Sequence, residues 1–261
     1  MLAAMDIAII ADIHGNLPAL QAVLSDIGRR GLRRIVNLGD CVSGPLWPRE
    51  CLERLQSEGI PSLRGNHDRW VAEDGRGSWD AFARQQLDAA QINWLGRLPT
   101  RLAPLPGVIA CHGRPDDDNA YLLEEVADGR LVAAAPATVA ARLGPTEATV
   151  LLCAHSHQPG LLGLPDGRMV LNPGSVGCPA YADPTAPAHV SETGTPFACY
   201  AVADIAEGRI RQATTIRLAY DHAAAAARAE AQGQADWAFA LRTGLARPAG
   251  RQSGSRSTGL T

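Results

Sequence analysis

Five short apolar runs in this chain each end on residues of metal-ligand type. IAIIA leads into Asp12 and His14, IVNLG into Asp40, PSLRG into Asn66 and His67, VIAC into His112, and TVLLCA into His155 and His157. Up to about Asn66 the apolar runs alternate with helix-like stretches, LPALQAVLSDIGRRG and PRECLERLQSEG. Strands alternating with helices of this length argue for βαβ units and a parallel sheet. In open α/β sheets the carboxyl ends of the strands converge on one crevice, so residues far apart in sequence are expected to meet in a single site. Asn16, just ahead of Leu17 and Pro18, reads as the cap of the first helix.

Further along, residues 69–100 read as helical, with Trp70, Trp79, Phe82, Leu87, Ile92 and Trp94 as packing residues that cap or flank the sheet. GVIAC, ATVLLC, RMVLN, FACYAVADI and RIRQATTIRL then read as strands of a second sheet. The alanine-rich stretch Ala223 to Ala231 is helical by propensity. Residues 1–246 are expected to form one domain, and the glycine- and serine-rich sequence 247–261 a disordered tail. The segments 116–145 and 180–196 are expected to shape the pocket.

At 261 residues and 46% hydrophobic content the chain is long enough to bury one large core. A net charge of -3 provides no basic face for duplex nucleic acid or an anionic membrane, so a small anionic substrate needs metal ions or a local positive site. No run approaches the roughly 20 apolar residues of a membrane span, and the first residues lack the pattern of a signal peptide, so a cytoplasmic protein is expected. Six cysteines without CxxC spacing read as reduced core residues, Cys41 among them. No segment specifies an oligomeric state.

Imidazoles, carboxylates and an amide oxygen, with no thiolate among them, suit divalent first-row metals: manganese, iron, zinc, cobalt or nickel. Seven such residues exceed what one tetrahedral ion can use. They suit two ions about 3.5 to 4 Å apart sharing one carboxylate, which clamp the attacking and leaving oxygens of an in-line phosphoryl displacement.

DIHGN (12–16), GD (39–40), GNHD (65–68), HG (112–113) and AHSH (154–157), in that order, resemble the five-motif signature of the calcineurin-like metallophosphoesterase superfamily. NPGSVG (172–177) resembles its small bacterial and archaeal phosphodiesterase-like members. The resemblance runs from about Met5 to Ala203. It implies an α/β fold of two packed mixed sheets flanked by helices, and a dinuclear phosphoesterase using a bridging hydroxide. One metal would be held by Asp12, His14 and His157, and the other by Asn66, His112 and His155. Asp40 would bridge the two. His67 would stay off the metals and contact the phosphoryl oxygen or protonate the leaving oxygen. Asn66 and Arg114 are the further candidates for touching a small phosphorylated substrate, whether a phosphodiester, a phosphomonoester or a dinucleoside polyphosphate. A scaffold without catalysis is the contrasting reading, but such scaffolds tend to lose the catalytic histidine or ligands, and this chain keeps all eight residues.

In GDCVSGP, Gly44 stands where protein serine/threonine phosphatases and bacterial symmetrical dinucleoside tetraphosphatases carry an arginine. Ser43 stands where the phosphatases carry the acid that supports the catalytic histidine. Asp68 is then the candidate for orienting His67. Arg114 could instead pair with the acidic run Asp116 to Asp118, itself read as a solvated loop and helix cap. His189 and His222 lie outside every motif and read as solvated.

Overall fold

The structure is a computed structural model that describes residues 5–247. The expected tail therefore lies, apart from Arg247, outside the described residues. The first half of the chain forms β1 (Met5–Ile10), α1 (Leu17–Arg29), β2 (Ile35–Asn37), α2 (Pro48–Ser57), α3 (Asn66–Glu73), α4 (Ser78–Gln86) and α5 (Ala89–Arg97). Then come β3 (Arg101–Leu105), β4 (Val108–Cys111), β5 (Glu124–Ala127), β6 (Arg130–Ala133), α6 (Pro136–Leu143), β7 (Val150–Leu152), β8 (Gly160–Gly163) and β9 (Met169–Asn172). The chain continues through β10 (Ala180–Asp183), β11 (His189–Glu192), β12 (Ala198–Ala206), β13 (Arg209–Leu218), α7 (His222–Ala231) and α8 (Ala235–Thr243). Among the described residues no helix is long and apolar enough to cross a membrane.

Two mixed sheets pack face to face, as the resemblance implied. One has the order β13-β12-β1-β2, the other β3-β4-β7-β9-β8. The period of two along β1 explains the layering. Ile7 and Ile9 face inward against Val108, Ala110, Val150 and Leu152 of the second sheet. Ala8 and Ile10 face outward against Leu20, Val23 and Ile27 of α1 and Leu52 and Leu55 of α2. On the outer face of the second sheet, Cys111, Leu151, Cys153 and Val170 cluster with Val139 and Leu143 of α6. Helix α1 starts where expected, Asn16 accepting a hydrogen bond from the Ala19 amide at 3.3 Å. All six cysteines are free and buried.

Three expectations change. Strands β12 and β13 belong to the first sheet, with β12 antiparallel to β1. The reason is that β12 is apolar on both faces and sits between β1 and β13. Its Ala198 and Tyr200 join the helical side, and Ala201, Ala203 and Ile205 the inter-sheet side. Second, the segments 116–145 and 180–196 pair with each other, making a third sheet of order β10-β11-β6-β5. Third, Leu87 and Leu95 bury themselves under Ile92 and Trp94, but Trp70, Trp79 and Phe82 stay outside that cluster.

Candidate metal centre

The ligand-type residues do converge. Asp12, His14 and His157 form one group and Asp40, His112 and His155 another, the candidate ligand atoms of each lying within 4.8 Å of one another. These six residues follow the carboxyl ends of β1, β2, β4 and β7, and Asn66 opens α3. Asp40 Oδ2 lies 3.3 Å from His112 Nε2 and 3.8 Å from His14 Nε2, so one carboxylate oxygen reaches into both groups. Asp12 Oδ1 lies 3.6 Å from His157 Nε2 and 3.9 Å from His112 Nε2.

Hydrogen bonding fits these residues for cations. His14 Nδ1 donates to the Ser43 carbonyl at 2.7 Å, His112 Nδ1 to Leu38 at 2.7 Å and His157 Nδ1 to Cys178 at 2.8 Å. A carbonyl cannot donate, so each Nδ1 holds a proton, and in the neutral imidazole each Nε2 presents its lone pair inward. The Nε2 atoms of His14 and His157 face each other at 3.2 Å, a repulsive pairing that a shared cation relieves. Both Asp12 carboxylate oxygens, Asn66 Oδ1 and His112 Nε2 are buried with no hydrogen-bond partner. Buried polar atoms are rarely left so, and four of them facing one crevice call for a bound ion.

Electrostatics agree. Burial pushes the His14 imidazole down to about 4 and that of His155 down to about 3, leaving both neutral as ligands must be. Burial also pushes the Asp12 carboxyl up, against the pull of His112. His112 is the exception: burial pushes it down, but the charge and contact of Asp40, then the charge of Asp12, raise it to about 10. A proton there does part of a cation's work, and metal uptake displaces it.

Backbone geometry supplies what the sequence did not reveal. Asp12 (φ 53°), His14 (φ 50°), Asp40 (φ 55°), His155 (φ 71°) and His157 (φ 61°) all adopt the left-handed region. Only two other non-glycine described residues do, Asp128 and Glu207. Such strain gathers at functional sites when the surroundings impose it. Much of the imposing falls to NPGSVG. Ser175 Oγ donates to the Asp12 carbonyl at 2.8 Å, while the amides of Val176 and Gly177 donate to the carbonyls of Ala11 at 2.9 Å and Asp12 at 3.0 Å. A β-carbon at Gly177 would overlap the Ile13 carbonyl, so only glycine lets the segment press this close.

The orienting group for His67 is Asp80, not Asp68. His67 Nδ1 lies 2.7 Å from Asp80 Oδ1, and Ser43 Oγ donates to the same oxygen at 2.6 Å. Asp68 instead accepts from the amides of Asp40 at 2.8 Å, Cys41 at 2.9 Å and Gly65 at 3.0 Å, shaping the turn that carries Asp40. Asp80 sits in the first turn of α4, where an acid favourable to the helix dipole attracts no notice in a sequence. Burial pulls the His67 imidazole down, but Asp40 and then Asp80 outweigh it and hold its pKa above the ordinary value. The His67 side chain is 27% exposed, whereas those of His14, His112 and His157 are 5%, 0% and 5% exposed, so His67 marks an opening to solvent.

The flanking residues need several corrections. Arg114 takes the pairing alternative, donating to both oxygens of exposed Asp116 at 3.1 and 2.9 Å. Asp118 is not simply solvated, since Arg69 of α3 donates to it at 2.9 and 2.7 Å. Beside it, Asn119 Oδ1 accepts from Asn66 Nδ2 at 3.1 Å, which leaves Asn66 Oδ1 as the free end of that amide. His189 is buried in β11. Its Nδ1 donates to the Pro187 carbonyl at 2.8 Å and its Nε2 accepts from the Tyr121 hydroxyl at 2.8 Å. Tyr121 accepts in turn from Tyr181 at 2.8 Å. Tyr121 stacks on His155 at 4.9 Å and Tyr181 meets His157 edge-on at 4.7 Å, so the third sheet walls one side of the centre. His222 begins α7 and joins neither group.

Two packed mixed sheets, with histidines and carboxylates gathered at the strand ends, define the class, and comparison with known proteins agrees. Residues 5–195 match the calcineurin-like phosphoesterase superfamily domain, and the chain belongs to that superfamily. A metallophosphoesterase from Sphaerobacter thermophilus is similar at 27% identity and a TM-score of 0.71, covering 93% of this chain and 100% of that one. Hypothetical protein PH1004 from Pyrococcus horikoshii OT3 shares the fold at 21% identity and a TM-score of 0.72, with the same 93% and 100% coverage. The uncharacterized protein MJ0912 of Methanocaldococcus jannaschii is 44% identical over 88 residues, which is 34% of this chain and 35% of that relative. The match thus spans about a third of the curated relative's length.

Proposed function

We propose that the chain is a hydrolase of phosphoesters that works with two divalent transition metal ions. The observation that carries the reading is the position of Asp40 Oδ2 between the two ligand groups, 3.3 Å from one imidazole and 3.8 Å from another. Asp12, His14 and His157 would hold one ion, Asn66, His112 and His155 the other, and Asp40 both. Bound there, the ions supply an activated water at neutral pH and neutralise charge on the phosphoryl oxygens.

The protein's own groups do the rest. The backbone carbonyls of Ser43, Leu38 and Cys178 fix three imidazoles in the tautomer that coordinates. Asp80 accepts from His67 Nδ1–H and favours the imidazolium, whose Nε2–H can donate to a phosphoryl oxygen or give its proton to the leaving oxygen. Arg114 would serve as an added phosphate donor only by leaving exposed Asp116, both of whose oxygens it holds. Asn66, anchored through Asn119, lies between ligand and substrate roles.

Elemental analysis of gently purified protein tests this directly and should approach two transition metals per chain. Chelation should abolish hydrolysis of bis-nitrophenyl phosphate and nitrophenyl phosphate, and manganese should restore it. The relative rates of the two esters separate a diesterase from a monoesterase. A fully active metal-free protein would defeat the reading.

A second expected result concerns pH. As an acid, His67 works only while protonated, so activity falls as pH rises through its elevated pKa. Metal ions cancel the contribution of Asp40 to that elevation but not the contribution of Asp80. Asp80→Asn should therefore move the alkaline limb of the kcat profile to lower pH and reduce kcat by about 10- to 100-fold, the usual scale for losing a group that orients a functional imidazole. An unmoved alkaline limb would exclude His67 as the group whose titration sets it.

A further inference from the structure

Three of the five tryptophans of this chain, drawn from three separate helices, meet beside His67 and His14. Trp70 of α3 lies edge-on to His67 with ring centres 4.8 Å apart. Trp237 of α8 lies 6.1 Å from His14 and 5.8 Å from Trp79 of α4, and His14 and His67 are themselves 5.5 Å apart. All three indoles are half-buried; Trp237 packs with one part of its ring against the cluster of Leu46, Ala225, Ala238 and Leu241 and keeps the rest exposed. Aromatic residues make up only 5% of the chain, yet on this side every one of these ring neighbours is tryptophan, whereas packing alone would be met by leucine.

We propose that these indoles form a platform for a planar aromatic ring carried on the leaving group, an aryl ring or the base of a nucleoside, of the phosphoester that the centre hydrolyses; this rests on the phosphoesterase reading above. The direction follows from His67. In the role of acid to the leaving group, His67 puts the leaving oxygen on its own side of the centre, and the inner side of the crevice is closed by fully buried His112, Asp12 and Asp40. Whatever is bonded to that oxygen must extend outward past His67, between Trp70 and the Trp79–Trp237 pair. Trp70 forms the side wall, its ring already flanked by the guanidinium groups of Arg69 at 5.6 Å and Arg76 at 6.0 Å. No guanidinium lies over Trp79 or Trp237 among the described residues, and both rings stay half-exposed beside their mutual edge-on contact.

The backbone makes room for Trp237 in particular. Gly44 has φ 153°, and a β-carbon on it would come 2.6 Å from the His14 carbonyl oxygen and 3.1 Å from Cη2 of Trp237. Any larger residue would push the indole away from the centre. The glycine after Ser43 and the tryptophan from the C-terminal helical pair thus form one device, and it exchanges a side chain at position 44 for an aromatic ring.

The test uses three phosphonates, whose carbon–phosphorus bond is not hydrolysed: methyl, 2-naphthylmethyl and decahydro-2-naphthylmethyl phosphonate, titrated by calorimetry into the manganese-loaded full chain. The two ring compounds match in size and differ in aromaticity. The naphthyl compound should bind about 5- to 100-fold more tightly than its saturated analogue, the range that stacking one ring on an aromatic side chain provides. In Trp79→Leu and Trp237→Leu that ratio should fall toward equality, and because it is a ratio, any shared loss at the metals cancels. Equal affinities in the wild type, or a ratio that persists in both variants, would overturn the platform alone. Failure of all three phosphonates to bind would overturn it together with the reading on which it rests.

Discussion

Replacing His67 with alanine is expected to lower kcat by about 10² to 10⁴, the range for losing a general acid, while the metal content of the protein stays intact. The two halves of that result come from different atoms. The imidazole is engaged by Asp80 at 2.7 Å and belongs to neither ligand group, so its loss removes no ligand. The His67 backbone amide, which donates to Asp40 Oδ1 at 3.0 Å, survives the substitution and still holds the carboxylate in place. Leaving-group dependence then separates the two roles open to the imidazole. If it protonates the leaving oxygen, the loss should be largest for an alkoxide and small for nitrophenolate, which departs without help. A loss equal for both leaving groups assigns it to the phosphoryl oxygen instead. A variant that emptied one metal site would show that the imidazole is a ligand after all.

The convergence of the candidate ligands was legible because it obeys a rule of position. Asp12, Asp40, His112 and His155 each follow an apolar run, and the carboxyl ends of strands meet in one crevice whatever lies between them. What orients those residues was not legible. Asp80 reaches His67 from a helix with no motif around it, and its partner Ser43 reads as the absence of an acid and not as a contact to one. The left-handed backbone of five candidate ligands leaves no trace in residue type, and at Asp12 the clamp, Ser175 to Gly177 on the carbonyls of Ala11 and Asp12, comes from 163 residues away. Strand β12 was assigned to the wrong sheet for a similar reason. Its two apolar faces announce a central strand but not which neighbours flank it. His189 and Tyr121 were invisible as a pair because they are brought together by a sheet made from two segments that look like loops in isolation.

Asp40→Asn should weaken both metals together and suppress turnover severely. The carboxylate has divided duties: Oδ1 accepts from the His67 amide, and Oδ2 sits between His112 and His14. An asparagine can keep the first contact through its carbonyl oxygen, so the fold has little reason to move. Its NH2 group then takes the place of Oδ2 and points a donor at the imidazole lone pairs, where the native carboxylate would offer a negative oxygen to two cations. The charge that lets two dications approach each other is lost at the same step. Losing a partner one shell further out costs about 10- to 100-fold in metal affinity, so losing a shared direct ligand should exceed that at both sites. His157→Ala should mainly deplete the Asp12 and His14 site, and Asn66→Ala mainly the site of His112 and His155. Calorimetric metal titration of the three variants decides the matter, because only a shared ligand couples the two affinities. Should Asp40→Asn lose one metal and keep the other at wild-type affinity, Asp40 would belong to a single site, and the two-metal geometry built on it would have to be given up.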